Sequence, residues 1–255
     1  MPPPHAPRVV APLGLALAVT LVALPALRGS WVYDDHILPH HGLLDDGGDL
    51  LATFARTSRD YFAWRAPAHD PLTPGATYRP AAMLTLFLGN LLGGHTPFAH
   101  HALSLGLHLA TLASLGLAAR RRAPLVWLAP VIALLALHPA PAEAWLWING
   151  RADLQAGLTL ALLALALDGL RGAARVPSLA ALVAWGCLSK ETFALTSAGV
   201  VAAHALGRPP GGRPRDGALA WALGCGAFVA LRAWAMRAVD GAVPPSAPGQ
   251  DLARA

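Results

Sequence analysis

Long apolar runs separated by short basic or proline-bearing segments set the pattern of this chain. The first run, Val9 to Leu27, lies between Arg8 and Arg28 and just reaches the roughly 20 residues that a bilayer core requires. It reads as an uncleaved helix rather than a signal peptide. The preceding MPPPHAPR carries one arginine, and no small-x-small cleavage pattern follows. The longest polar stretch comes next, from Gly29 to Arg79. The run Pro80 to Leu92 is apolar for only 13 residues and stops at Gly93-Gly94, a length suited to an interfacial or re-entrant helix. Thr96-Pro97 then reads as an N-cap with proline at the first helical position.

That cap opens a second span, Phe98 to Ala119, stopped by Arg120-Arg121-Arg122. Pro124 opens a third, to Leu137, broken at His138-Pro139; a fourth covers Ala152 to Leu170, before Arg171 and Arg175. From Val176 to Leu206 the apolar signal continues for 31 residues, interrupted only at Ser189-Lys190-Glu191. One helix of that length is extreme, so the pattern predicts two spans meeting at Lys190-Glu191. A seventh, Ala218 to Val239, follows the connection containing Arg208, Arg213 and Arg215. The expected fold class is therefore all-α: a multi-pass helical bundle of about seven spans with a large first extracytoplasmic loop. Its membrane module occupies residues 1–239, with the loop and interfacial helix at 29–95 and a tail at 240–255.

Composition narrows the class. Hydrophobic residues make up 55% of the 255 and charged residues 13%, about half the soluble norm, with a mean hydropathy of +0.47. Disorder and an ordinary soluble domain are both excluded. A pI near 10 suggests nucleic acid in a soluble protein, but here the arginines cluster between apolar runs, as in proteins oriented by the positive-inside rule. No nucleic-acid partner is expected; the lipid bilayer is. Alternating the spans puts Arg8, the Arg120 triplet, Arg171/Arg175 and Arg208–Arg215 on one side. The N-terminus is then cytoplasmic, and the acid-rich loop is outside. Both cysteines, Cys187 and Cys225, lie within apolar runs, which excludes a disulfide framework.

Ionisable groups at membrane depth are costly and usually face a cavity. Here they gather at one boundary: Asp34 and Asp35, Tyr78 and Arg79, His100, His101 and His108, Glu143, Arg151 and Asp153, Lys190 and Glu191, and Arg232. Transfer from a lipid-linked phosphate suits such a site. It needs a carboxylate to take a proton from an acceptor hydroxyl and cations to hold the departing phosphate.

The order Val32-Tyr33-Asp34-Asp35, Tyr78-Arg79-Pro80, His138-Pro139 with Glu143-Ala144 and Trp147, Asn149-Gly150-Arg151-Ala152-Asp153, and Leu188-Ser189-Lys190-Glu191 resembles the membrane half of the TMTC-type proteins. These are O-mannosyltransferases of the GT-C glycosyltransferase superfamily, whose members often carry TPR repeats after the membrane part. Asn149 stands where that family usually has a small residue, and the chain stops short of the family's further spans. The resemblance implies a polyprenyl- or dolichyl-phosphate sugar donor, typically of mannose. It also implies a protein Ser or Thr acceptor, inversion, and a site on the extracytoplasmic side of a bacterial inner membrane or an ER-type membrane.

On this reading Asp34 and Asp35 are catalytic, with Asp35 favoured as base and Asp34 as its orienter. Lys190, Arg79, Arg151 and Arg232 hold the donor phosphate, and Tyr78, His138, Glu143, Asp153 and Glu191 support them. Lys190 is the single lysine beside 18 arginines, so an ammonium kept inside an apolar run asks for a reason. Asp153 has a simpler reading as a first-turn helix acid. Arg151 lies two residues away, on another helix face, and could point at the site. No cofactor is required. A divalent metal on His36, His40, His41 and His69 is the less favoured option, and the stripe His100/Ser104/His108 reads as polar packing between helices. The alternative function is a non-catalytic, truncated membrane subunit that binds lipid or partner helices. A transporter is less favoured still, since the charges lie at one end of the spans rather than in their middle.

Overall fold

The computed structural model describes residues 7–32, 35, 54–55, 78–121, 123–207 and 214–242. Among them the protein is a helical bundle without strands. Its helices are α1 (Pro7–Leu27), α2 (Pro80–Gly93), α3 (Pro97–Ala119), α4 (Leu125–Leu137), α5 (Pro139–Leu146), α6 (Arg151–Gly169), α7 (Arg175–Ser189), α8 (Phe193–Leu206) and α9 (Pro214–Ala242), with a 3-10 turn, Ile148–Gly150, leading into α6. The proposed catalytic Asp34, the candidate ligands His36, His40, His41 and His69, and the other acids of the polar stretch, Asp45, Asp46, Asp49, Asp60 and Asp70, lie outside the described residues.

Among the described residues, three segments meet the length and apolarity of a membrane crossing: Pro97–Ala119, Ile148–Gly169 and Pro214–Arg237. α1 has 21 residues, whereas α2, α4, α7 and α8 are shorter than full spans. α4 has 13 residues and contains Pro130, which removes one rung of its hydrogen-bond ladder. α7 and α8 have 15 and 14 residues, about 22 and 21 Å of helix, and they part where the charges interrupt the apolar run. α2 buries Pro80, Ala81, Ala82, Leu86 and Gly89 and leaves Leu88, Leu91 and Leu92 exposed. Many large apolar side chains face outward, Trp127, Leu134, Leu195 and Leu206 among them, as a lipid-facing surface requires.

Two larger cores hold the bundle, with a smaller cluster of Leu86 and Ile148 beside them. One joins α6, α7, α8 and α9 through Leu163, Leu167, Leu179, Val183, Phe193 and Phe228, with Tyr78 in the same cluster. The other joins α1, α3, α4 and α6 through Val19, Leu105, Leu112, Ala136 and Leu154. Tight turns set the geometry between them. Thr96 and Pro97 stand where the sequence places a cap, but the Thr96 hydroxyl donates backward to the Gly93 carbonyl at 2.7 Å and makes no side-chain cap. A Cβ on Gly186 would stand 2.4 Å from the Phe193 ring, so glycine is what lets α8 fold back against the end of α7. That hairpin presents Lys190 and Glu191.

Candidate functional site

The segment after α1 is drawn against the bundle by Trp31, whose ring lies 5.3 Å from that of His100. A turn follows, with the Asp35 N–H donating to the Val32 carbonyl at 2.9 Å. The Asp35 side chain is fully buried, and both of its oxygens are taken. The Ile148 N–H donates to Oδ2 at 3.0 Å and the Asn149 N–H to Oδ1 at 2.9 Å. Those amides begin the turn that leads into α6, where a helix start leaves donors without internal partners. Asp35 is thus tied by geometry as an anchor between the first loop and the 148–153 turn. Its full burial, rather than those two bonds, sets it apart from the open catalytic base first expected, since each carboxylate oxygen keeps a second lone pair.

Arg151, expected at the phosphate, turns the other way. It is 1% exposed, and its guanidinium is used up internally. Nη1 donates to the Thr85 carbonyl at 2.7 Å, Nη2 to the His100 carbonyl at 2.8 Å, and Nε to the Ser104 hydroxyl at 3.2 Å. Nη2 also lies 3.3 Å from His100 Nδ1; arginine only donates, so Nδ1 accepts and His100 Nε2–H donates to Asn90 Oδ1 at 2.9 Å. Arg151 therefore pins α2 and α3 to the start of α6 rather than facing a ligand. One turn on, Gln155 Nε2 donates to the Ala81 carbonyl at 3.0 Å and continues the same seam.

Asp153, two residues from Arg151, faces outward and pairs with Lys190 across the gap between α6 and the α7–α8 turn. Beside it Arg79 and Glu191 form a forked pair: Nε donates to Oε2 at 2.9 Å and Nη2 to Oε1 at 2.7 Å. That contact holds the Glu191 carboxyl down to about 2 and raises the Arg79 guanidinium. Asp153 lies within electrostatic reach of Arg79, and Arg232 of α9 within reach of Glu191. Four elements far apart in sequence thus supply one charged layer.

This layer borders a groove of 610 Å³. Glu143, Asp153 and Lys190 are its charged members, Trp147, Thr111 and His108 its amphipathic ones, and Leu112, Leu115, Leu135 and Leu154 its apolar wall. Lys190 contributes the ammonium of this lining, beside the Asp153 and Glu143 carboxylates, and the apolar side chains form the rest of the wall. The sequence reading missed Trp147 and Thr111 as lining residues; the i, i+3, i+4 placement of His108, Thr111 and Leu112 on one helix face was the available signal.

Two other proposed supporting positions lie elsewhere. Tyr78 is buried in the α6–α9 core, its hydroxyl donating to the Phe54 carbonyl at 2.7 Å and its ring 6.5 Å from that of Phe228. His138 is exposed at the C-terminal end of α4. Asp34 lies outside the described residues. The histidine stripe is buried and bonded across helices, with His108 Nε2 3.3 Å from the Ala136 carbonyl. Among the described residues no group of three or more His, Cys, Asp or Glu side chains is arranged to hold a metal.

Comparison with known proteins gives one line of kinship. The chain is 35% identical over 141 residues to "Protein O-mannosyl-transferase Tmtc1" of Drosophila melanogaster, a stretch amounting to 54% of this chain and 16% of that protein. No family model and no solved structure matches the chain. The chain is therefore a helical membrane protein with a TMTC-like relationship over about half of its length.

Proposed function

We propose that residues 1–239 form a GT-C-type glycosyltransferase module that moves a hexose, in the first place mannose, from a polyprenyl- or dolichyl-phosphate to a Ser or Thr hydroxyl of a protein. The observation that carries this reading is the groove lined by Lys190, Asp153 and Glu143 together with an apolar wall. A donor with a charged head and a hydrocarbon tail matches that polarity, and the relative over 141 residues is named as an O-mannosyl-transferase. The site is taken to face the extracytoplasmic side, with the N-terminus in the cytoplasm.

In the proposed reaction the acceptor oxygen attacks the anomeric carbon. Its proton passes to a carboxylate, and the carbon–oxygen bond to phosphate breaks. The phosphate leaves with the bonding electron pair, and the configuration inverts. A cation placed where that charge grows lowers the barrier more than it tightens the ground state. Lys190 supplies that charge in this reading, with Arg232 and Arg79 behind it. Asp34 is assigned as the base, because its neighbour Asp35 is fully buried and oriented by two backbone amides as an anchor.

The test is transfer of labelled mannose from polyprenyl-phosphate-mannose to a Ser/Thr peptide in membranes carrying the chain. Asp34→Asn should lower the rate on the order of 100-fold or more, the usual scale for a lost general base. Undiminished transfer by this variant would remove Asp34 from the mechanism, and absence of transfer by the unaltered chain would remove the activity.

A further inference from the structure

We infer that the donor phosphate enters the groove by displacing Asp153 from Lys190, while Arg79 and Glu191 remain paired and serve as the frame that holds Lys190 in place. This rests on the glycosyl-phosphate reading above and divides the cations of the charged layer into two kinds. Without ligand, both Lys190 and Arg79 already have a carboxylate partner. A phosphate therefore binds either by exchange with one of those carboxylates or not at these cations at all.

The two pairs are unequal in three respects. Arg79 and Glu191 share two hydrogen bonds in a planar fork, an arrangement that lysine cannot make. Lys190 and Asp153 share a single contact, between Nζ and Oδ1. The cations are similarly covered, Arg79 29% and Lys190 26% exposed, but the Asp153 carboxylate is more open than that of Glu191, 48% against 36%. Lys190 and Asp153 both line the groove, and Arg79 and Glu191 do not. The pair that a ligand in the groove meets first is thus also the one with the fewest bonds to break.

The displaced carboxylate is not left stranded. Asp153 is the first-turn acid of α6, where the helix N-terminus favours a negative charge, and it is open to water. The ammonium, in turn, is a rotatable point charge with three donors, able to change partner without moving the backbone. As the glycosyl bond breaks, the phosphate passes from a diester to a monoester and gains charge, so its hold on Lys190 strengthens along the reaction. When the lipid phosphate departs, Asp153 takes Lys190 back. Glu191 follows Lys190 directly in the chain, so the fork to Arg79 fixes the turn from which the ammonium reaches.

The probe is farnesyl phosphate, with farnesol as its phosphate-free control, titrated onto the purified full chain in detergent while thermal unfolding is followed in parallel. The unaltered chain should bind farnesyl phosphate in preference to farnesol. Asp153→Asn should bind the phosphate about two- to fivefold more tightly, the fold-change that a partly exposed ion pair corresponds to. Asp153→Ser, which also suits a first helical turn, should do the same. Lys190→Gln should weaken binding roughly 10- to 100-fold. Arg79→Glu should unfold at a lower temperature and bind poorly, and adding Glu191→Arg should restore both.

Equal or weaker phosphate binding by both Asp153 variants, with unfolding unchanged, overturns the exchange and leaves the glycosyl-phosphate reading standing. A charge-swapped chain that recovers its unfolding temperature without recovering binding places Arg79 on the phosphate and overturns the division of roles. Loss of the preference for farnesyl phosphate over farnesol in the unaltered chain overturns the functional reading, and the exchange with it.

Discussion

Arg79 and Glu191, 112 residues apart in the chain, meet through two hydrogen bonds of 2.9 and 2.7 Å. The pair ties the residue preceding α2 to the turn between α7 and α8. Because the guanidinium holds the Glu191 carboxyl down to about 2, against an ordinary value of 4.5, folding is linked to pH in a definite direction. A depressed carboxylate contributes stability that is complete above its unfolded value and is lost as pH falls through its folded one. Glu191→Gln should therefore unfold at a lower temperature than the unaltered chain at pH 6. The gap between the two should close between about pH 4.5 and pH 2. Thermal unfolding in detergent at several pH values measures it; a gap that widens on acidification would contradict the pairing.

Arg151 gives a sharper stability test. Its guanidinium bonds the Thr85 and His100 carbonyls and the Ser104 hydroxyl inside the protein, and its charge lies within electrostatic reach of Asp35. Arg151→Ala removes the four contacts of a buried guanidinium and leaves a cavity between α2, α3 and α6, which should cost on the order of 3 kcal/mol. Arg151→Lys should recover little of this, because one ammonium cannot reproduce a fork aimed at three groups. Urea or thermal unfolding reads both. A large drop in donor affinity with unchanged stability would instead put Arg151 at the ligand.

Residues 151 and 153 also show where a sequence is legible and where it is not. Their spacing alone says that they point in different directions around a helix. Which of them turns inward depends on what α2 and α3 place nearby, and that has no local signature. The break in the apolar run at Lys190-Glu191 could be read directly, because two charges inside a buried stretch are costly wherever they sit. Their partners could not, since Asp153 and Arg79 lie 37 and 112 residues away. The helical class, the ends of α4 at Pro124 and His138-Pro139, and the split between α7 and α8 followed from composition and run length, whereas the close approach of α8 to α7 at Gly186 had no such signal. Asp35 could be picked out as an acid at the membrane boundary, but the two amides that claim its oxygens belong to a turn more than 100 residues later.

The α7–α8 turn is open to a packing test. With a Cβ at Gly186 standing 2.4 Å from the Phe193 ring, Gly186→Ala overfills the hairpin and should destabilise by about 1–3 kcal/mol. Phe193→Leu alone loses buried area, yet in the double variant it makes room for the added methyl group. The two substitutions should therefore be strongly non-additive, the double variant being more stable than the sum of the single effects. Unfolding of all four chains closes the cycle. Additive effects would mean that the close approach does not set the turn.

The adjacent aspartates Asp34 and Asp35 should separate into stability and chemistry. Asp35 is fully buried and accepts from the Ile148 and Asn149 amides, so Asp35→Ala leaves two donors at the entry to α6 without an acceptor. Loss of a comparable helix-start acceptor costs about 0.5–2 kcal/mol, and Asp35→Ala should fall at or above the upper end because the site excludes water. Its transfer activity should decline together with its folded fraction, and low temperature should recover part of it. Asp34→Asn should behave in the opposite way, with normal unfolding and a rate lowered on the order of 100-fold at every temperature. Pairing each variant's unfolding curve with its mannose-transfer rate distinguishes the two residues. If Asp35→Ala kept full stability but lost all transfer, the carboxylate between those amides would be the reacting group, and the assignment of anchor and base would have to be exchanged.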